Sequence, residues 1–249
     1  MNARLVRSLT FAIFTTFAAA AVAQETKPAA KKLDVATTPA SRTDTWWQDR
    51  HNSMNARVKQ GNVDLIFVGD SITHGWEGSG ADVWKKYYGA RNAVNLGIGG
   101  DQTSHVLWRL DHGNIDGISP KLAVVMIGTN NAGQQPPQSP EQTARGVEAV
   151  VRRLQKKLPQ TKILLLAIFP RGADNNDTIR KTNTAANAII AKLANGQTVF
   201  YLDIGPQFLA ADGTLSKTIM PDLLHPNAQG YEIWAKAIEP TVAKLMGEK

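Results

Sequence analysis

Residues 64–75 carry the sequence DLIFVGDSITHG, in which an apolar run ends at a Gly-Asp-Ser tripeptide. Apolar side chains occupy consecutive positions of this run, from Leu65 to Val68, and not alternate ones. Consecutive apolar positions are typical of a parallel strand that is covered by helices on both faces. The run therefore predicts a buried β-strand at 64–69, followed directly by polar residues.

Four more short β-type runs follow along the chain, and helical patterns separate several of them. The runs cover residues 93–97 (AVNLG), 122–127 (LAVVMI), 162–168 (KILLLAI) and 199–203 (VFYLD). Helices are predicted over 45–60, over a segment that begins at Ser139-Pro140-Glu141, and over 177–194 and 228–246. This alternation predicts an α/β fold, a three-layer α/β/α sandwich around a five-stranded, mostly parallel sheet.

The composition of the 249-residue chain excludes several classes of protein. With 43% hydrophobic residues and a formal net charge of +7, the chain has enough apolar material for one domain and is not a polyelectrolyte. Cysteine is absent from the sequence, which excludes disulfides, thiolate metal sites and cysteine nucleophiles. The sequence has no basic stripe interleaved with aromatic residues, so no nucleic-acid partner is predicted.

The first 23 residues have the three parts of a secretory signal peptide. Arg4 and Arg7 supply a positive start, an apolar stretch follows, and residues 21–23 (AVA) fit the small-x-small cleavage pattern. The unbroken apolar part is shorter than the roughly 20 residues that a transmembrane helix needs, so no stable membrane insertion is predicted. We therefore expect cleavage after Ala23 and a secreted or periplasmic bacterial protein.

The next segment has the composition of a linker. Residues 24–43 (QETKPAAKKLDVATTPASRT) are rich in Ala, Pro, Lys and Thr and show no hydrophobic periodicity. This favours a flexible connection and leaves 44–249 as the folded domain. In the first predicted helix, Trp46 and Trp47 are interpreted as packing residues rather than as a platform for a sugar ring.

Polar and glycine residues follow three of the predicted strands and precede the last helix. Ser71 comes after the first strand, Gly100 after the second and Asn130 after the third. Asp222 and His225 stand shortly before the last helix. Because the ligand site of a parallel α/β sheet lies at the carboxyl ends of its strands, we expect these five residues to gather at one edge.

These residue types are the ones that acyl transfer requires. Ser71 can supply a nucleophilic hydroxyl, and His225 can take its proton because imidazole titrates near neutral pH. Asp222, three residues before His225, can reach one ring nitrogen and fix its tautomer. The N–H groups of Ser71 and Gly100 and the amide of Asn130 can donate to a developing oxyanion. Each residue alone could be a cap, a turn or a loop residue, but their combination and order favour catalysis.

Four blocks of the sequence resemble those of the SGNH, or GDSL-type, serine hydrolases. They are Gly69-Asp70-Ser71, residues 95–100 (NLGIGG), Gly128-Thr129-Asn130-Asn131 and Asp222-Leu223-Leu224-His225. The resemblance implies a flavodoxin-like SGNH hydrolase fold, with Ser71 as nucleophile, His225 as base and Asp222 as its orienting partner. It also implies an oxyanion hole of Ser71, Gly100 and Asn130, and a reaction that uses no cofactor and no metal.

The predicted function is a secreted serine esterase that hydrolyses small acyl esters, acetyl esters first. Residues 95–110 and 170–172 resemble those of family members that remove an acetyl group from a phospholipid. The export signal favours acetylated carbohydrate as the substrate, with lysophospholipid or thioester cleavage as the alternative. A flavodoxin-like electron carrier and a non-catalytic carbohydrate-binding protein remain as alternatives from other classes, and the oligomeric state stays open.

The remaining histidines are interpreted as surface or packing residues, and no metal site is predicted. They are His51, His74, His105 and His112.

Overall fold

A sheet of five parallel strands forms the centre of the protein. The computed structural model describes Met1 and residues 34–248. The strands are β1 (Leu65–Gly69), β2 (Ala93–Gly97), β3 (Leu122–Met126), β4 (Lys162–Leu166) and β5 (Val199–Leu202). They lie in the order β2-β1-β3-β4-β5, so the direction of winding reverses between β1 and β3. Ligands of doubly wound sheets bind at such a reversal, outside the carboxyl ends of the strands.

Helices cover both faces of this sheet. They are α1 (Thr45–Lys59), α2 (Ser71–His74), α3 (Ala81–Tyr88), α4 (Thr103–Asp111), α5 (Thr129–Gly133), α6 (Pro140–Lys157), α7 (Thr178–Ile190) and α8 (Ala228–Met246). Helices α1, α4, α6 and α7 bury apolar residues against one face of the sheet, and α3 and α8 do so against the other. The predicted three-layer α/β/α sandwich is confirmed.

The apolar residues of strand β1 are consecutive because both of its faces are buried. Ile66 and Val68 enter one hydrophobic cluster, while Leu65 and Phe67 enter the cluster on the opposite face. All four side chains are buried. Because burial of each such side chain contributes about 1.5–3 kcal/mol, a polar residue at any of these positions would weaken one of the two layers.

The start of α6 agrees with its local sequence. Oγ of Ser139 accepts the N–H of Gln142 at 3.2 Å, and the Gln142 side chain accepts the N–H of Ser139 at 2.9 Å. This reciprocal pair satisfies two backbone donors that the first turn of a helix leaves free. The helix predicted over 177–194 is shorter than expected, because α7 ends at Ile190 and continues as a 3-10 turn over Ala191–Leu193.

The structure differs from the prediction at residues 34–43, which we call the N-terminal strap. The sequence predicts these residues as linker, whereas Ala36 is fully buried. The carbonyl oxygen of Ala36 accepts from Oγ1 of Thr103 at 2.8 Å, and the N–H of Ala40 donates to the carbonyl of Ser104 at 3.1 Å. Hydrogen bonds to α4 and one small side chain hold the strap, and neither leaves a periodic apolar pattern in the sequence.

The rest of the predicted linker, 24–33, lies outside the described residues. The same holds for the predicted signal peptide beyond Met1.

Candidate active site

Ser71 stands at a sharp turn between a strand and a helix. Strand β1 ends at Gly69, and Ser71 is the first residue of α2. Between them, Oδ1 of Asp70 accepts the N–H of Ile72 at 3.0 Å and so caps the helix. A side-chain carbon on Gly69 would overlap the carbonyl oxygen of Met126 in the neighbouring strand, so the turn needs glycine there. The turn places the Ser71 hydroxyl at the carboxyl edge of the sheet.

Ser71, His225 and Asp222 form one hydrogen-bonded chain. Oγ of Ser71 lies 2.8 Å from Nε2 of His225, and Nδ1 of His225 lies 2.6 Å from Oδ2 of Asp222. An ionised carboxylate can only accept, so Nδ1 carries the proton of the neutral ring. Nε2 is then free to accept the proton of the Ser71 hydroxyl. The arrangement can generate a nucleophilic oxygen.

Asp222 is held in its charged form. Partial burial favours a higher pKa, but the hydrogen bonds from the ring and backbone of His225 outweigh it and place the pKa of Asp222 below its ordinary value. Oδ1 accepts the backbone N–H of His225 at 2.7 Å and that of Leu224 at 3.0 Å. Leu223, the residue after Asp222, takes a left-handed φ of 59°, and its carbonyl accepts the N–H of Gly172 at 2.9 Å. These bonds fix the loop that carries the imidazole.

The predicted oxyanion donors lie on the neighbouring loops. Gly100, in the loop between β2 and α4, has a φ of +77°, a conformation that favours glycine. Nδ2 of Asn130 donates one proton to the carbonyl of Asp101 at 2.9 Å and keeps a second proton for another acceptor. The N–H of Ser71 is among the first of its helix, and these have no acceptor within the helix. All five predicted site residues therefore reach the same edge of the sheet.

A buried ion pair joins the β2–α4 loop to helix α4, and the sequence analysis did not predict it. Nε of Arg109 donates to Oδ2 of Asp101 at 2.8 Å, and both side chains are fully buried. Nε1 of Trp47 donates to the other carboxylate oxygen at 2.6 Å, and Nη2 of Arg109 donates to the carbonyl of Gly69 at 3.3 Å. The pair thus joins the end of β1 to the β2–α4 loop. An arginine within the apolar run 106–110 (VLWRL) was the signal that could have indicated it.

His74 contacts the same loop and is more than the surface or packing residue that the sequence suggested. Its Nδ1 lies 3.3 Å from the backbone N of Gly99, which donates to it. Burial lowers the pKa of His74, and the nearby charge of Arg50 lowers it further. The neutral ring can therefore accept this hydrogen bond and hold the residue next to Gly100.

The two neighbouring tryptophans differ in their environment. Trp47 is buried, as predicted, but the prediction of a packing role for Trp46 is wrong, because Trp46 is 48% exposed. The guanidinium of Arg42, in the N-terminal strap, lies over the Trp46 ring at 5.0 Å from its centre. Nη1 of Arg42 also donates to the carbonyl of Gly99 at 2.8 Å. The strap therefore reaches the loop beside Ser71.

Asp70 is the most perturbed carboxyl group near Ser71. Complete burial raises its pKa to about 7, the hydrogen bond from Ile72 opposes this shift, and the charge of Asp101 adds to it. Its Oδ2 finds no hydrogen-bond partner among the described residues. A neutral carboxyl is therefore favoured at this position below pH 7.

Within residues 34–248, no three His, Asp or Glu side chains converge in a way that could hold a metal ion. In the same part of the chain, no helix combines the length and the apolar character that a membrane crossing needs.

A Ser-His-Asp chain at the carboxyl ends of the strands of a three-layer α/β fold is the constellation of a serine-dependent hydrolase. Residues 67–233 match the model of the GDSL-like Lipase/Acylhydrolase family. The chain belongs to this family, whose members hydrolyse esters. The electron-carrier and non-catalytic alternatives receive no support from this result.

Two relatives with assigned names support the same membership. The chain is 34% identical over 203 residues to platelet-activating factor acetylhydrolase IB subunit alpha1 of Homo sapiens. The aligned residues cover 81% of this chain and 85% of the relative. The chain is 36% identical over 209 residues to the alpha2 subunit of Rattus norvegicus, covering 82% and 87%. The resemblance to acetylhydrolases that sequence analysis drew from residues 95–110 and 170–172 is confirmed.

Two solved structures agree with the fold. A GDSL-like lipase from Bacteroides thetaiotaomicron superposes with a TM-score of 0.64 at 21% identity, covering 79% of this chain and 97% of the other. An acetylxylan esterase from Geobacillus stearothermophilus superposes with a TM-score of 0.58 at 18% identity, covering 76% and 96%. At these identities the likeness supports the fold alone.

Proposed function

We propose that this protein is a secreted serine esterase that removes short acyl groups, acetyl first, from carbohydrate esters. The observation that carries the esterase proposal is the continuous chain from Oγ of Ser71 through the ring of His225 to Asp222, with links of 2.8 and 2.6 Å. Such distances let a proton leave the hydroxyl as its oxygen attacks.

The reaction proceeds in two halves. Oγ of Ser71 attacks the acyl carbon while Nε2 of His225 takes the hydroxyl proton, and the negative Asp222 stabilises the imidazolium. The tetrahedral intermediate collapses, the bond to the alcohol oxygen breaks, and His225 returns the proton to that oxygen. A water molecule then attacks the acyl group on Ser71 with His225 as base, which releases the acid and restores the hydroxyl.

The oxyanion of each tetrahedral intermediate is stabilised by three donors. They are the N–H groups of Ser71 and Gly100 and the amide of Asn130. One such donor contributes about 10²–10³ in turnover in related chemistry. The hydrogen bonds to the neighbouring Gly99 and Asp101 support the loop before reaction, so little reorganisation is needed as charge develops.

The choice of substrate rests on relatives and on the N-terminal sequence. One relative is an acetylhydrolase by name, and one protein of the same fold is an acetylxylan esterase. The signal-like sequence at 1–23 would take the protein to a compartment that holds polymeric sugars. Acetylated carbohydrate is therefore the proposed substrate, with lysophospholipid or thioester cleavage as the competing acyl-hydrolase activity.

The decisive experiment compares the wild type with Ser71→Ala on p-nitrophenyl acetate, butyrate and longer esters, with acetylated xylan alongside. We expect acetate release that falls at least about 10³-fold in the variant, since the nucleophile is lost. The decline in hydrolysis rate from acetate to longer esters measures how long an acyl chain the site accepts. Equal rates in both proteins would remove Ser71 from this role.

A further inference from the structure

We propose that Trp46 is an aromatic platform for the sugar ring that carries the scissile ester, so that the leaving-group side of the site includes the end of the N-terminal strap. This inference rests on the proposed esterase function and adds a substrate-binding residue to it. It assigns a task to the one tryptophan of the 46–47 pair that is not buried.

The position of Trp46 relative to Ser71 is the first argument. A Cβ atom built on Gly99 would lie 3.8 Å from Cη2 of Trp46, 3.8 Å from Nδ1 of His74 and 3.9 Å from Cβ of Ser71. Because glycine has no side chain, the space between these groups is open. The edge of the indole therefore borders the same space as the proposed nucleophile.

The ring is also held in place. Arg42 stacks over one face of the ring, so the proposed sugar takes the opposite face. The Arg42 guanidinium is itself fixed by Asp44 at 3.1 Å and by the carbonyl of Gly99 at 2.8 Å. The adjacent Trp47 is buried and bonded to Asp101, which anchors the start of α1. A ring held before binding loses little conformational freedom when a ligand stacks on it.

The chemistry of the surroundings favours a sugar over a lipid tail. A pyranose presents an apolar C–H face for stacking and hydroxyl groups for polar neighbours such as Arg42 and Asp44. In the part of the chain that the structure describes, the exposed large hydrophobic residues are Met1, Val35, Trp46 and Ile189. Trp46 is therefore one of few exposed large apolar side chains among the described residues, and its charged neighbours Arg42 and Asp44 suit a sugar better than a hydrocarbon chain.

The test separates the two sides of the ester. Wild type, Trp46→Ala and Trp46→Phe are compared on an acetylated xylooligosaccharide and on ethyl acetate, whose leaving group has no ring. Since a stacking contact accounts for a factor of about ten, we expect kcat/KM on the oligosaccharide to fall about tenfold in Trp46→Ala, chiefly through KM. On ethyl acetate the change should stay below about twofold, and Trp46→Phe should recover part of the loss.

A second measurement needs no turnover. Calorimetric titration of the same oligosaccharide into Ser71→Ala, with and without Trp46→Ala, should show a parallel loss of affinity. Val35→Ala is the matched control, because Val35 is an exposed apolar residue of the N-terminal strap and lies outside the proposed platform. It should change neither the affinity for the oligosaccharide nor kcat/KM.

The outcomes distinguish this inference from the proposed function. Equal losses on both esters, an unchanged oligosaccharide rate, or activity of the wild type on ethyl acetate alone would overturn the platform. Failure of the wild type on both esters would overturn the esterase proposal, and the calorimetric comparison would still decide the role of Trp46.

Discussion

Nη1 of Arg42 donates a hydrogen bond to the carbonyl oxygen of Gly99 at 2.8 Å, across 57 positions of the sequence. That carbonyl belongs to the same peptide unit as the N–H of Gly100. A charged donor on the oxygen withdraws electron density from the peptide and makes its N–H a stronger donor. Arg42 therefore orients and polarises one of the proposed oxyanion donors through the Gly99–Gly100 peptide unit.

Arg42→Ala should lower kcat about tenfold and change KM little, because the effect on the Gly100 N–H grows as the oxyanion forms. Ethyl acetate is the substrate of choice, since its leaving group does not need the Trp46 ring that Arg42 also supports. Arg42→Lys should recover part of the rate. Arg145→Ala is the control, because Arg145 pairs with Asp34 at the far end of the strap. A rise in KM at constant kcat would contradict the polarisation argument.

Asp222→Asn should abolish most of the activity while the fold remains intact. The neutral amide can present a donor to Nδ1 of His225 and so favour the wrong tautomer, for which a loss of about 10³–10⁴ in kcat is expected. The Asp222 side chain is 55% exposed, so the thermal midpoint should move little. Steady-state rates and a melting curve on the same preparation check both statements. A variant that kept a tenth of the activity would not fit a Ser-His-Asp mechanism.

Arg109→Leu should destabilise the protein by about 3–5 kcal/mol, because it removes the buried guanidinium that is hydrogen-bonded to the buried carboxylate of Asp101. Urea unfolding followed by tryptophan fluorescence measures the change. The surface pair of Arg152 and Glu148 gives the contrast, since it is largely exposed and Arg152→Ala should cost less than about 1 kcal/mol. Similar losses in the two variants would mean that the buried pair has no special role.

Asp70 should make the stability of the wild type fall as pH rises. Its pKa is about 7 in the folded protein and lies near 3.8 ordinarily, so between these values the folded state holds a proton that the unfolded chain has released. This contribution to stability is complete below about pH 4 and is lost as pH rises through 7. Asp70→Asn keeps an oxygen for the N–H of Ile72 but cannot titrate.

The measurement for Asp70 is the free energy of unfolding of both proteins at pH 5 and pH 8. The wild type should lose about 2–3 kcal/mol more than Asp70→Asn over this interval, and all other titrating groups cancel in the comparison. Parallel pH profiles would show that Asp70 ionises normally.

The fold was predictable because its information is local. A strand covered on both faces is apolar at consecutive positions. β1 and β3 carry that pattern throughout, and β4 carries it after Lys162. The start of α6 was predictable for the same reason, since Ser139 finds its capping partner three residues further on. The five predicted site residues follow from one rule about parallel sheets, and their distances now allow the roles to be tested.

The contacts around the site were not predictable in this way. Arg42 and Trp46 lie in or beside a segment whose composition indicates a linker, and the Gly99 carbonyl that Arg42 contacts lies 57 positions further along the chain. Nor did the sequence distinguish Trp46 from Trp47, because two adjacent tryptophans do not themselves show which of them faces the core. The sequence indicated only a surface or packing role for His74, because its partner, the N–H of Gly99, lies 25 positions further along the chain.

The amino-acid sequence by itself determined the five strands, the four longest helices, the doubly covered sheet and the set of residues at its carboxyl edge. It could do so because the spacing of apolar residues within one strand or helix, and the capping of a helix, involve near neighbours along the chain. Only the tertiary structure decided that the strap packs on α4, that Asp101 and Arg109 form a buried pair beneath the loop, and that Trp46 borders the space beside Ser71. The contacts of the strap and of Trp46 join segments far apart in sequence, and such contacts exist only after the layers have packed. Asp101 and Arg109 are only eight residues apart, but their pair is enclosed by the distant residues Trp47 and Gly69.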